Sequence, residues 1–176
     1  MMFKKERGFS LIELLIVVAI ILIIAAIAIP NLLRSRMAAN EASEVGSVRT
    51  INTAAITFNS TYSDGFPSLL SEIGTTGTGA VTCQNAQLID SLLTTGSKSG
   101  YTFAMAAGVT AVATVPAGCV AGYVDGYGVT AVPTTVGTTG QRGFCSDATG
   151  VIRYNSAGTS GYTAPNCDTA QNPIGQ

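Results

Sequence analysis

From Leu14 to Ile29 the chain is apolar without interruption, and carrying the stretch back to Phe9 adds only Ser10 and Glu13 as polar positions. At a rise of about 1.5 Å per residue, a helix over this stretch spans roughly 30 Å, the thickness of a bilayer's hydrocarbon core. A secretory signal has an apolar core of only about 7–15 residues that ends at a small-x-small cleavage site, and Ile29-Pro30-Asn31 is no such site. Residues 9–30 therefore read as a membrane-spanning helix, with Pro30 predicted to kink it by removing one backbone donor. Past Pro30 the pattern changes. Ala38, Ala42, Val45, Val48, Ile51, Ala55, Phe58 and Tyr62 recur at spacings of three and four, which predicts that the helix continues through 31–63 with one amphipathic stripe packed on its own globular domain. The first half is apolar around its whole circumference, so lipid or copies of itself must bury it.

Asp64-Gly65-Phe66-Pro67 is a turn signal that ends this helix. Beyond it, 64–176 carries most of the glycine together with abundant Thr, Ser and Ala, a composition of loops and sheet. Cys83 to Leu93 reads as a short helix with Leu88 and Leu92 on one face. Tyr101, Phe103 and Met105 alternate with small polar or small apolar residues as in a half-buried strand. Tyr127–Val132 and Arg142–Ser146 read as further strands, and Asp147-Ala148-Thr149-Gly150 should turn the latter into Val151–Asn155, making a hairpin. No repeat of 20–50 residues is present. The predicted class is α+β: a long N-terminal helix backed against an antiparallel sheet of about four strands.

Composition narrows the chemistry. The 176 residues are 47% hydrophobic but only 11% charged, and nine Lys and Arg against ten Asp and Glu leave a formal charge of −1, with no basic excess to hold a phosphate backbone. No His and no Trp are present, which removes imidazole acid/base catalysis, His metal ligation and Ser-His-Asp chemistry. Other signals fail on context. Gly126-Tyr127-Gly128-Val129-Thr130-Ala131 fits a dinucleotide-loop spacing, yet a Val/Thr/Pro-rich stretch follows where a helix is required. Ser97-Lys98-Ser99 lies between Gly96 and Gly100 and reads as an exposed turn, not a Ser-Lys nucleophile. Asp125 and Asp147 lack the dense oxygen pattern of a calcium loop and are expected in turns. Asn59-Ser60-Thr61 is a sequon placed on the helix. No cofactor or metal is expected, and an enzyme is not.

Cys83, Cys119, Cys145 and Cys167 all lie in the sheet half, with gaps of 36, 26 and 22 positions and no C-x-x-C pair, so disulfides are favoured over zinc and imply an oxidising compartment. Three pairings are open. The predicted hairpin brings the chain back and favours Cys145 with Cys167, leaving Cys83 with Cys119.

The N-terminal junction is the most specific feature. Met1–Gly8 carries Lys4, Lys5 and Arg7 against Glu6 and stops where hydrophobicity begins at Phe9; Arg34 and Arg36 follow the helix. This bias, three cations against two, favours a cytoplasmic N-terminus. Glu13 is costly one turn into a hydrocarbon-spanning helix. It either snorkels to the interface or pairs with a cation such as the amine that cutting after Gly8 would create on Phe9.

Gly8-Phe9-Ser10-Leu11-Ile12-Glu13, followed by an apolar run and Pro30, resembles the prepilin motif of the type IV pilin family. The resemblance implies that residues 1–8 are a leader removed by a prepilin peptidase between Gly8 and Phe9, that Phe9 is then N-methylated, and that Glu13 pairs with the Phe9 amine of a neighbouring subunit during assembly. It further implies a structural subunit of a pilus, a homopolymer serving adhesion, twitching motility or DNA uptake. The implied partners are an inner-membrane assembly platform, its cytoplasmic ATPase and an outer-membrane secretin. The subunit would be a single-pass inner-membrane protein first and part of an extracellular pilus afterwards. A pseudopilin of a type II secretion system is the near alternative, ranked second because its major subunits usually carry a Trp-containing loop and a calcium site. A membrane-anchored binding module is the alternative from another class, and it leaves Gly8-Phe9 and Glu13 unexplained.

Overall fold

The computed structural model describes residues 8–63, 65–75, 79–119, 122, 124–163, 166–167 and 171–174. The leader expected at Met1–Arg7, Asp64 of the turn signal and Thr76–Thr78 lie outside them. The chain forms two compact units, Met1–Arg36 and Met37–Gln176. One helix, α1 (Leu11–Tyr62), contributes to both and contains Pro30.

In the first unit, α1 presents its apolar side chains to the surroundings: every Leu, Ile and Val from Leu11 to Leu33 is exposed. It is long and apolar enough to cross a membrane.

In the second unit, α1 buries Val48, Ile51, Ala54, Ala55 and Phe58 in the core. Val45 and Tyr62 pack at the margin of that core. The start of this face departs from the expected stripe: Ala38 and Ala42 are exposed, and Glu41 and Glu44 are buried in their place. The helix ends at Tyr62, and Ser63 and Gly65 both take positive φ, the conformation that halts a helix.

Two short helices follow, α2 (Leu70–Ile73) and α3 (Ser91–Thr94). The helix expected over Cys83–Leu93 is thus reduced to α3. Gln87 sits at φ 53°, which no right-handed helix accommodates. The preceding backbone instead bonds outward, with Ala86 N–H donating to Glu72 O at 2.8 Å and Leu88 N–H to Ile73 O at 2.8 Å. The Asp90 carboxylate accepts the N–H groups of Leu92 and Leu93, both at 3.0 Å, and starts α3 there. Ala86, Ile89 and Leu93 are buried, whereas Leu92 is exposed.

The sheet has six antiparallel strands where about four were expected. These are β1 (Ser97–Lys98), β2 (Tyr101–Ala107), β3 (Tyr127–Pro133), β4 (Gly143–Asp147), β5 (Arg153–Asn155) and, after the small pair β6 (Tyr162–Thr163) and β7 (Asn166–Cys167), β8 (Asn172–Pro173). The order is β1-β2-β3-β4-β5-β8, with β6-β7 as a separate ribbon. Alternation is plain in β2, where Tyr101 and Phe103 are buried and Thr102 and Ala104 exposed. β4 is buried at all five positions, so neither face meets water. Ser97-Lys98 is a strand and not an exposed turn. The turn is Ser99-Gly100, with φ of 51° and 76°, and two positive φ values between paired strands mark a tight hairpin of the I′ kind.

The structure joins Cys83 to Cys119 and Cys145 to Cys167. In the entropic account, each link withholds about 3–4 kcal/mol of freedom from the unfolded chain, the longer Cys83–Cys119 loop the more. The second link ties the tail to β4 at a point where the Asp147 carboxylate also accepts the Cys167 N–H at 3.1 Å. The Tyr162 ring lies where a side chain on Gly128 would be. Glycine is therefore required at this second position of β3 for the ribbon to dock.

Candidate functional site

At the start of α1 the backbone and one carboxylate form a cap. Leu14 N–H donates to Ser10 O at 3.2 Å, which makes Ser10 the residue that opens the helix. Three positions on, the Glu13 carboxylate reaches back and accepts the Ser10 N–H at 2.9 Å. This is one half of a capping box, in which an acidic side chain satisfies a backbone donor that the first helical turn leaves free. A negative charge also suits the positive end of the helix dipole. Snorkelling and pairing with a cation do not include this role, although Ser10-Leu11-Ile12-Glu13 spells the S-x-x-E signal for it. Gly8 and Phe9 precede the helix, and the Phe9 side chain is 76% exposed. Gly8 and Phe9 are both exposed, and the first ionisable side chain beyond them is a carboxylate already held one turn away. From Leu14 to Ile29 no charged side chain interrupts the apolar surface; Arg34 and Arg36 come after it.

In the second unit the functional burden of α1 is to hold the sheet. Asn40 Nδ2 donates to Thr139 O at 2.8 Å. The Glu41 carboxylate accepts the backbone N–H of Gln141 at 2.9 Å and of Arg142 at 3.1 Å, and pairs with the Arg142 guanidinium at 2.7 Å. Burial pushes the Glu41 carboxyl up, but the Gln141 N–H and then the guanidinium and N–H of Arg142 outweigh it, and the net value lies below the ordinary one. Arg142 also lies over the rings of Phe144 and Tyr154, with its guanidinium carbon 5.6 and 5.0 Å from the centroids. Further along, Asn52 Nδ2 donates to Ser146 Oγ at 2.7 Å, and the Tyr127 hydroxyl lies 3.3 Å from Asn52 Oδ1. Counting only apolar positions hides these polar contacts, because Glu41, Glu44 and Asn52 occupy the inner face as well.

The remaining candidates have structural partners. Asp125 accepts the N–H groups of Val109 and Thr110, and these bonds hold its carboxyl below the usual range. Asp147 accepts Thr149 N–H as well as Cys167 N–H. Lys98 pairs with Asp90 at 2.9 Å. The sequon Asn59-Ser60-Thr61 lies within α1. Gly126–Ala131 leads into and forms part of strand β3, so no helix N-terminus follows to receive a pyrophosphate. Among the described residues no group of three or more acidic or thiol side chains is placed to hold a metal ion.

Residues 3–29 match the family described as the prokaryotic N-terminal methylation motif. The chain is similar to the type IV wide pilus major component of Thermus thermophilus, 60% identical over 38 residues, which is 22% of this chain and 29% of that protein. It is also similar to the type IV major pilin protein of Myxococcus xanthus, 41% identical over 70 residues, 40% of this chain and 31% of that protein. The likeness thus spans less than a third of the length of either relative. No solved structure matches the chain at a significant level.

Proposed function

We propose that the chain is a structural subunit of a type IV pilus, inserted in the membrane through Phe9–Ile29 and polymerised by moving that helix from lipid into a bundle of identical helices. The observation that carries this reading is the combination of a methylation motif over residues 3–29 with a helix whose Leu, Ile and Val side chains from Leu11 to Leu33 are all exposed. Burial against copies of itself replaces burial in lipid with little loss of apolar contact, so the transfer needs no separate hydrophobic driving force. Residues 1–8 are the leader, Pro30 is the kink, and 31–63 is the portion of the helix that carries the sheet domain. A prepilin peptidase cuts between Gly8 and Phe9 and methylates Phe9. An inner-membrane platform with its ATPase, and an outer-membrane secretin, complete the route to the surface. Two disulfides fit a sheet domain that matures outside the reducing cytoplasm.

Surface fibres sheared from cells decide the matter. Mass spectrometry should find this chain in them, shortened by Met1–Gly8 and beginning at a methylated Phe9. Chains that retain Met1, or fibres that lack this protein while it remains in the membrane fraction, would overturn the reading.

A further inference from the structure

The inner face of α1 buries a second carboxylate whose situation is the reverse of Glu41. Glu44 is fully buried, and neither carboxylate oxygen has a hydrogen-bond partner among the described residues. An ionised carboxylate cannot persist in such a place without a partner; the neutral acid can. The lid over this part of the helix is the β1–β2 hairpin. Ser43 Oγ and Ser99 Oγ are 3.1 Å apart, and Gly100 packs between Thr139 and Asn40. Tyr101 is wholly buried, with its hydroxyl donating to Arg142 O at 2.9 Å.

The charged and titratable groups around Glu44 are few. Glu41, one turn earlier, is occupied by Arg142. Tyr101 is raised by burial first and then by the charges of Glu41 and Glu44, so it stays neutral. Lys98 on β1 is the cation that acts on Glu44, and its amine is taken by Asp90 at 2.9 Å. Burial, opposed only by Lys98, pushes the Glu44 carboxyl up to about 8.

We propose that the hairpin of β1 and β2 is a proton-operated latch on α1, closed while Glu44 carries its proton and loosened when Glu44 ionises. Once charged, Glu44 must reach water or the Lys98 amine. Either route requires the segment Ser97–Gly100 to lift from the helix while Tyr101 stays in the sheet, and the second also breaks the Lys98–Asp90 pair. The sign follows from linkage. Between the unfolded value of 4.5 and the native value, the closed form binds the extra proton, so closure weakens as pH rises through this window. β1 is the weakly held arm: it pairs with β2 at only two positions, whereas β2 pairs with β3 at seven.

The test uses the full chain in a non-ionic detergent. Amide exchange, corrected for its intrinsic base catalysis, is followed from about pH 6 to about pH 9, together with the carbon NMR shift of a selectively labelled Glu44 carboxyl. Phe103 N–H, which donates to Gly96 O, and Thr134 N–H, which donates to Gly100 O, report on the latch; the amides of β4 report on the sheet interior. Protection at the two reporters should fall roughly a hundredfold in the wild type while β4 holds. It should stay flat in Glu44→Gln. Lys98→Met should move the midpoint to higher pH by removing the one opposing cation. Glu44→Leu, which fills the site without a polar atom, supplies the same comparison where the amide variant does not fold, and the wild-type carboxyl titration stands without either. A carboxyl that titrates in the ordinary range, an equal loss of protection in β4, or the same loss in Glu44→Gln would each overturn the latch.

Discussion

Glu13→Ala protein should enter the membrane at normal yield, be cut after Gly8, and fail to build filaments. Insertion depends on the apolar run from Leu14 to Ile29, which the substitution leaves intact. In the proposed filament the new Phe9 amine lies among packed helices. Without the carboxylate of a neighbour, that cation is buried unpaired at a cost of roughly 3–5 kcal/mol per added subunit. A cost of this size lowers the equilibrium for each addition by two orders of magnitude or more. The cap seen at the helix start supplies a control. Glu13→Gln retains an oxygen that can accept the Ser10 N–H but has no charge, so it should restore the helix start and leave filaments absent. Fibre yield by electron microscopy, read beside the N-terminal sequence of the membrane-bound pool, checks both. Normal fibres from correctly cut Glu13→Ala chains would rule the pairing out.

Glu41→Ala should destabilise the second unit by about 2–3 kcal/mol. The carboxylate satisfies two backbone N–H groups and a guanidinium at once, and its loss strands the donors of Gln141 and Arg142. The Arg142 side chain is 39% exposed, so water recovers part of the ion pair and holds the cost below that of a fully buried one. Because the native Glu41 carboxyl lies below its ordinary value of 4.5, its contribution is complete above that value. It disappears as pH falls through the lower native one, where folded and unfolded chains are both protonated. Chemical denaturation of detergent-solubilised wild type and variant should therefore differ most at neutral pH and converge in strong acid. A difference that persists unchanged in strong acid would show that packing, not charge, holds the site.

The elements most legible in the sequence are those where one period dominates. The uninterrupted apolar run and the three-and-four spacing after Pro30 foretell one long helix, which runs over Leu11–Tyr62 against the expected 9–63, and the alternation at Tyr101, Phe103 and Met105 foretells β2. Failure came where a side chain competes with the backbone. Leu88 and Leu92 suggest a helical face, but Gln87 turns left-handed and the Asp90 side chain, three residues later, starts a new helix. The two-residue strands β1 and β8 carry no periodicity at all; they exist because neighbouring strands offer them partners. At the junction the residue types were plain while their interactions were not. Ser10 and Glu13 spell a cap that reasoning about membranes overlooks, and a stripe made of alanines hides the carboxylates beside it.

Cys145 and Cys167 close a ring that contains the Asp147–Gly150 turn, strand β5 and the β6–β7 ribbon. A single backbone break anywhere inside that ring leaves one molecule, because the two ends remain bonded through sulfur. The exposed Ser156 and Ala157 turn is thus a place where an extracellular protease can cut without shedding anything. In the proposed extracellular polymer, a cut of that kind leaves both pieces attached to the subunit that suffered it.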